Sequence, residues 1–301
     1  MAFGATFKRY EKKFLLNTAQ YEAIKKEVDK YFFPDKYGET TICNIYYDTP
    51  DFLLIRRSND KPVFKEKIRL RTYGVPNDDT VSFLEVKRKF NKVVYKRRIN
   101  MPYAQMLEYL SSKSFHAYTW SKPLDTTYSL AVSKRKGKNT VFSGTYTLPV
   151  DSSNKLVKID QTEKAQITKE LEYTFKLYKG IEPKFYISYD RSAFFYKETS
   201  DIRITFDKNL LWRDYDLDLR CGSYGEQLLP DDHVIMEVKV PNTVPLWLSQ
   251  LLSELKVYAT SFSKVGTAYK TKLAREINAS AVSTGNLRLI MQEKCDIEDF
   301  D

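Results

Sequence analysis

Apolar and polar residues alternate with a period of two over much of the chain, the pattern of strands that bury one face and wet the other. The predicted strands are 7–15, 42–48, 63–73, 81–90, 92–99, 128–133, 140–148, 185–196, 201–207 and 233–240, rich in Tyr, Phe, Ile and Val. A period of 3.6 takes over in fewer places. Asn17 is a fitting cap for a first helix, in which Tyr21, Ile24, Val28 and Phe32 share a face until Pro34 stops it. A second follows Pro102 with Tyr103, Leu107 and Leu110 on one side, and a third carries Leu171, Phe175 and Tyr178 up to Gly180. Leu248, Leu251, Leu252 and Leu255 form another stripe, and after Ser263 a last helix presents Val265, Tyr269, Leu273 and Ile277 as a packing face. Helices do not separate successive strands, which excludes a doubly wound α/β fold. The expected class is α+β, an antiparallel sheet or barrel with helices added. Residues 111–163 gather Ser, Lys, Thr and Gly, and 134–139 reads as a solvated hairpin tip.

The polar side of these strands carries an unusual set of residues. Lys67, Arg69 and Arg71 alternate with Ile68 and Leu70, so the cations project from one face. Glu85, Lys87 and Lys89 do the same in the following strand, as do Glu237 with Lys239, Arg203 with Thr205 and Asp207, and Arg9 with Glu11 and Lys13. A solvated outer surface laced with ion pairs is the plain explanation. An ordinary wet face would mix in Thr, Ser and Gln, however, whereas Arg, Lys and Glu dominate here. A barrel with this face inward encloses a tunnel of cations and a few carboxylates, which is costly unless hydrated or filled with anions; a polyanion with a divalent metal would neutralise both signs. Phosphate suits such a lumen: Arg grips it with a bidentate fork, Lys as a point charge, and hard Mg²⁺ or Mn²⁺ prefers carboxylate oxygen. Phosphoryl transfer is catalysed largely by such positioning and charge stabilisation. Ser263 is placed to cap the last helix, whose free N–H groups would receive an anion beside Lys264.

Composition narrows the picture further. At 301 residues and 42% hydrophobic, the chain can bury a sizeable core, and its 10 Gly and 11 Pro exclude collagen-like and low-complexity classes. No apolar run approaches the roughly 18 residues of a membrane span. The N-terminus MAFGATFKRYEKK has no signal-peptide core, so a soluble, cytoplasmic protein is expected. Cys43, Cys221 and Cys295 are scattered, and His116 and His233 lie far apart, which argues against zinc sites and His-based triads. Lys and Arg exceed Asp and Glu by 49 to 39, a charge of +10 that points to an anionic partner without choosing one. The aromatics mostly alternate with the charges and are expected to face the core, so no nucleic-acid partner is expected.

The segments Arg9-Tyr10-Glu11-Lys12-Lys13-Phe14, Asn44-Ile45-Tyr46-Tyr47-Asp48-Thr49-Pro50, Lys67-Ile68-Arg69-Leu70-Arg71-Thr72-Tyr73-Gly74, Glu85-Val86-Lys87, Ile187-Ser188-Tyr189-Asp190-Arg191, Ile202-Arg203-Ile204-Thr205-Phe206-Asp207, Glu237-Val238-Lys239 and Ser261-Phe262-Ser263-Lys264 together resemble the VTC-type polyphosphate polymerase domain. That domain belongs to the triphosphate tunnel metalloenzyme (CYTH-like) superfamily, and the motifs run in order over nearly the whole chain. The resemblance implies an antiparallel β-barrel tunnel with flanking helices, spanning residues 1–280 as a single domain with a tail over 281–301. It implies a stand-alone bacterial type without an SPX domain or membrane segment. It also implies an ATP-dependent polymerase that moves the γ-phosphate onto a growing inorganic polyphosphate or pyrophosphate chain, with Mn²⁺ or Mg²⁺. By motif, Lys13, Arg69, Arg71, Lys87, Arg191, Arg203, Lys239, Ser263 and Lys264 would bind phosphates. Glu237 would be the principal metal ligand, Glu11 and Glu85 secondary ones, and Asp207 an ion-pair partner. Ser261 stands where some eukaryotic members have a lysine. Two other functions fit the same residues: hydrolysis of triphosphates, with Glu11 or Glu85 orienting a water, and non-enzymatic binding of polyanions.

Overall fold

The period-two segments pair into one antiparallel sheet of ten strands and a separate two-stranded hairpin. The structure is a computed structural model and describes residues 10–60, 62–91, 93–111, 129–132, 144–147, 161–199, 201–241 and 243–295. In chain order the elements begin β1 (Tyr10–Asn17), α1 (Thr18–Tyr31), β2 (Phe32–Asp48), α2 (Leu53–Asn59), β3 (Phe64–Tyr73), β4 (Val81–Phe90), β5 (Val93–Pro102) and α3 (Tyr103–Ser111). The hairpin strands β6 (Ser129–Val132) and β7 (Gly144–Thr147) follow, then α4 (Gln161–Leu177), β8 (Glu182–Tyr196), β9 (Arg203–Arg213), β10 (Glu226–Gln227), β11 (His233–Val240), α5 (Leu246–Glu254), β12 (Ala259–Thr260) and α6 (Lys264–Cys295). The predicted tip at 134–139 lies outside the described residues.

Parity along each strand decides its two faces. On the convex face of β1, β9 and β11, Phe14, Leu16, Ile204, Phe206, Met236 and Val238 are buried beneath Tyr21, Ile24 and Val28 of α1 and Leu248 and Leu252 of α5. On β2 to β5 the convex residues Cys43, Ile45, Ile68, Leu70, Leu84 and Val86 pack under α3 and α4 through Tyr103, Met106 and Leu171. Intervening positions therefore face the concave side. A third cluster closes one end of that side, where Tyr46, Phe185, Ile187 and Ile235 meet Ile55 of α2 and Val265 and Ala268 of α6.

The strand order is β12-β1-β11-β9-β8-β2-β3-β4-β5, with β10 on β9. Six pairings separate β12 from β3, which in a flat sheet would put them about 29 Å apart. Yet Lys67 Nζ of β3 donates to Ser263 Oγ, just beyond β12, at 2.7 Å. The sheet is thus curled into a tunnel. Its backbone ladder stays open between β5 and β12.

Local chemistry explains where the elements begin and end. Asn17 Oδ1 accepts from Gln20 N at 2.9 Å and Gln20 Oε1 accepts from Asn17 N at 3.0 Å, a reciprocal cap for α1. That helix stops at Tyr31. Phe32 starts a strand instead of completing the predicted helical stripe, although it is buried in the same core. The unpredicted α2 is held by the Asp48 carboxylate, which accepts from the backbone N–H groups of Thr49, Leu54 and Ile55. The predicted stripe of α6 packs only at its start: Val265 is buried, but Leu273 and Ile277 are 40% and 59% exposed. This helix continues past residue 280 to Cys295. Among the described residues, no helix is long and apolar enough to cross a membrane.

Candidate active site

Strand register arranges the concave side chains in rows. Asn44, Arg71, Phe83 and Asn100 form one row across β2 to β5, and Tyr46, Arg69, Glu85 and Arg98 the next. The third row is Lys67, Lys87 and Lys96, directly opposed like charges with no carboxylate among them. On the other half of the tunnel, Glu11 faces Lys239, which faces Arg203, while Lys13 faces Glu237, which faces Thr205.

The carboxylates divide the cations between them. Glu85 takes Arg69 Nε at 2.5 Å, Arg98 at 3.4 Å, and also Lys96. Glu237 is 3.2 Å from Lys13, 3.7 Å from Arg191 and 3.9 Å from Lys239. Asp207 is fully buried, binds Arg191 through both oxygens at 2.5 and 2.7 Å, and receives Lys264 at 2.5 Å. Arg71 donates to Asn44 Oδ1 at 2.8 Å and to the Tyr189 hydroxyl at 3.0 Å. Ser263 caps α6 as its position predicts: its Oγ accepts from Gly266 N at 3.1 Å as well as from Lys67.

The profile of the VTC domain matches residues 8–273, nearly the whole of this sheet and its helices. The chain belongs to the VTC domain family. No curated protein matches it. Among solved structures, this VTC domain is similar to a candidate adenylate cyclase of Vibrio parahaemolyticus, at 12% identity over 88% of this chain and 99% of that one, TM-score 0.38. It is also similar to a candidate adenylyl cyclase of Hippeastrum described as having a dominant triphosphatase activity, at 12% identity over 88% of this chain and 96% of that one, TM-score 0.42. A Mimivirus capping-enzyme triphosphatase matches at 10% identity over 81% of this chain and 86% of that one, TM-score 0.27. At such distance these neighbours say nothing of what this VTC domain does.

Every site residue expected from the sequence lies on the concave face or at the start of α6. Sequence reading missed others. Lys67 was on the cationic face but had no assigned role, and Lys96 and Arg98 were hidden in the run Lys96-Arg97-Arg98, where cations point both ways and mask the alternation. Tyr46 and Tyr189 are buried in the third cluster, as expected of aromatics, and also touch the tunnel's cations. Tyr46 accepts from Arg69 at 3.4 Å, and the Tyr189 ring lies 4.3 Å beneath Lys264 Nζ.

Electrostatics separate the two groups of charges. Burial, reinforced by Lys87, Lys13 and other cations, pushes the Lys67 ammonium down to about 7. Lys96 is likewise pushed down to about 7 by burial, which Glu85 opposes and Arg69 and Arg98 reinforce. The carboxylates move in the other sense. Burial alone would raise Glu85 and Glu237, but Arg69 and Lys96 around the first and Arg191 and Lys13 around the second hold both well below the usual carboxylate range. Glu11 and Asp207 are also held low, against burial, by Lys87 and by Arg191 respectively. Three lining groups, Arg98 Nη2, Arg203 Nε and Thr205 Oγ1, are buried without a hydrogen-bond partner.

Among the described residues, no three carboxylate, histidine or cysteine side chains converge as a metal site. Glu11 and Glu237 nevertheless flank one cation, the Lys13 ammonium, at 3.6 and 3.2 Å. Mg²⁺ is commonly held by one or two carboxylates with substrate phosphates and water completing its shell, so this pair fits such an ion. Glu85, 1% exposed and gripped by three cations, fits the task of positioning Arg69 better than that of a metal ligand.

Proposed function

We propose that this VTC-domain protein is a metal-dependent polyphosphate polymerase that moves the γ-phosphoryl group of ATP onto the end of an inorganic polyphosphate or pyrophosphate chain. The observation that carries this reading is the row Lys67, Lys87 and Lys96, directly opposed cations in a curled sheet whose nearest carboxylate, Glu85, is shared between Lys96, Arg69 and Arg98. Cations crowded in this way are stabilised by a polyanion such as a chain of phosphates. Lys13, Arg69, Arg71, Lys87, Arg191 and Lys239 would grip phosphate oxygens, with Ser263 and Lys264 at the α6 N-terminus taking a further group. Glu237 and Glu11 would hold Mn²⁺ or Mg²⁺, which when bound spreads the charge of the transferred phosphoryl group.

The depressed carboxylates favour transfer over hydrolysis. In transfer, an ionised oxygen of the acceptor's terminal phosphate bonds to the γ-phosphorus while the bond to the β–γ bridging oxygen breaks and ADP leaves, so no proton need be removed. Hydrolysis benefits from a base poised near neutrality, and Glu11, Glu85, Glu237 and Asp207 all lie below their ordinary values. One observation favours hydrolysis as the second reading: the orphaned Thr205 hydroxyl lies opposite Glu237, where a water would find two partners.

Incubation with ATP and Mn²⁺ followed by electrophoresis separates these readings. Long phosphate chains are expected, and orthophosphate with only short products would sink the polymerase. Glu237→Ala should lower turnover by on the order of 10²-fold or more while the protein still binds tripolyphosphate. A pure polyanion binder would show no turnover in either form.

A further inference from the structure

The tunnel wall is uneven at the end away from α6. β2 and β8 are 17 and 15 residues long against 10 for β3, so the first two overrun their neighbours. Within the overrun, Pro34 pairs with Phe194 and Glu39 with Ser192, so residues 35–38 bulge out opposite Ala193 alone. Asp35 comes off this bulge to within 3.5 Å of Arg203 Nη2. The Arg203 guanidinium lies 4.9 Å above the Phe195 ring, and its Nε is one of the buried donors without a partner. Tyr73, at the end of β3, is 44% exposed and packs edge-on to Phe83 at 5.7 Å. It is close enough to Arg203 to act on its charge.

Unlike the buried Tyr46 and Tyr189, which serve the tunnel's cations, Tyr73 is an exposed ring at the rim, and a phosphate chain has neither a π face nor an apolar edge to set against it. A nucleobase has both. It stacks on aromatic and guanidinium planes, and its edge exchanges hydrogen bonds with groups such as a carboxylate and an unpaired N–H. Lys67, bonded to Ser263 before α6, lies six residues from Tyr73 along β3, so a nucleotide whose phosphates reach it would leave its base toward this rim.

We propose that Tyr73, Phe195, Arg203 and Asp35 form a nucleoside subsite at the tunnel mouth, in which the rings stack the base of ATP and Asp35 orients Arg203 toward its edge. This rests on the reading of the tunnel as a triphosphate site.

Calorimetric titration without metal, so that nothing turns over, tests the subsite with two probes: ATP and inorganic tripolyphosphate. Tyr73→Ala and Phe195→Ala should each weaken ATP binding about tenfold yet leave tripolyphosphate within about twofold of the parent protein. Tyr73→Phe, which keeps the ring, should bind ATP as the parent does. Retained tripolyphosphate binding also reports that each variant is folded. Equal losses for both probes, or none for ATP, would overturn the subsite and leave the triphosphate tunnel standing. If the parent protein binds neither probe, the tunnel reading falls and the subsite with it.

Discussion

Two ion clusters stand back to back on β3, β4 and β5. On the convex side, Glu66 accepts from Arg88 and from the Tyr178 hydroxyl, Arg88 also reaches Thr174 at 2.5 Å, and Glu170 accepts from Arg97 at 3.0 Å. Two carboxylates answer two arginines there, and Glu66 is 4% exposed. On the concave side, Glu85 stands alone against Arg69, Arg98 and Lys96, with Lys67 and Lys87 beside them and an Arg98 nitrogen unsatisfied. The strands are the same and the residue types are the same. What differs is closure: a balanced, saturated cluster fixes α4 to the sheet, whereas the overcharged one leaves cations without a full share of carboxylate.

The comparison breaks most visibly if Glu66→Ala behaves like a site mutation. The variant leaves the partly exposed Arg88 with Glu170 as its carboxylate, 3.7 Å away, and the Tyr178 hydroxyl without its acceptor, and should cost about 1–3 kcal/mol of stability in denaturant titrations, while turnover per folded molecule stays at the parent level. A loss of turnover without a loss of stability would erase the distinction between the two faces.

A second, smaller effect concerns pH. Lys67 and Lys96 sit near 7 in the folded protein against an ordinary value of 10.5, so above pH 7 the unfolded chain holds more protons than the native one. The stability of the free protein should therefore rise as pH climbs from about 6.5 to about 8.5, and the gain from added tripolyphosphate should shrink, because binding must then recruit protons. The depressed carboxylates add nothing in this window, since their contribution is lost only in acid. Melting temperatures with and without tripolyphosphate check this, and a flat profile in both series would remove the charge frustration from the lysine row.

The smallest effect sharpens the link between α6 and the row. A Cβ at Gly266 would lie 2.7 Å from Asn59 Oδ1 and 3.0 Å from Ser263 Oγ. Gly266→Ala should turn the Ser263 hydroxyl away and weaken tripolyphosphate binding by about two- to tenfold. Stability should change by less than about 1 kcal/mol, because alanine's helix propensity offsets the crowding. Unchanged affinity would detach the α6 N-terminus from phosphate binding.

Alternation made most of this sheet legible, because with one face buried a strand's parity leaves little choice of direction. Lys13, Arg69, Arg71, Lys87, Arg203, Glu237 and Lys239 share the tunnel face for that reason. What the sequence hid depends on register or on contacts between distant segments. Lys67 matters because it stands opposite Lys87, which no local pattern reports. The front of β2 was masked by Pro34 and by the unpaired residues of its bulge. α2 is seven residues long, too short for a helical period, and exists because Asp48 supplies its first N–H groups with an acceptor. β10 and β12, two residues each, carry no periodicity at all.

The hydrogen-bond path that stops at β5 and β12 has one more result. A cylinder zipped all the way round admits a long polymer only by its tip. Here the tie across the curl is a side-chain hydrogen bond from Lys67 of β3 to Ser263 beyond β12, worth about 1 kcal/mol, and parting it unpairs no strand. Widening the curl therefore asks less of the backbone than widening a closed barrel.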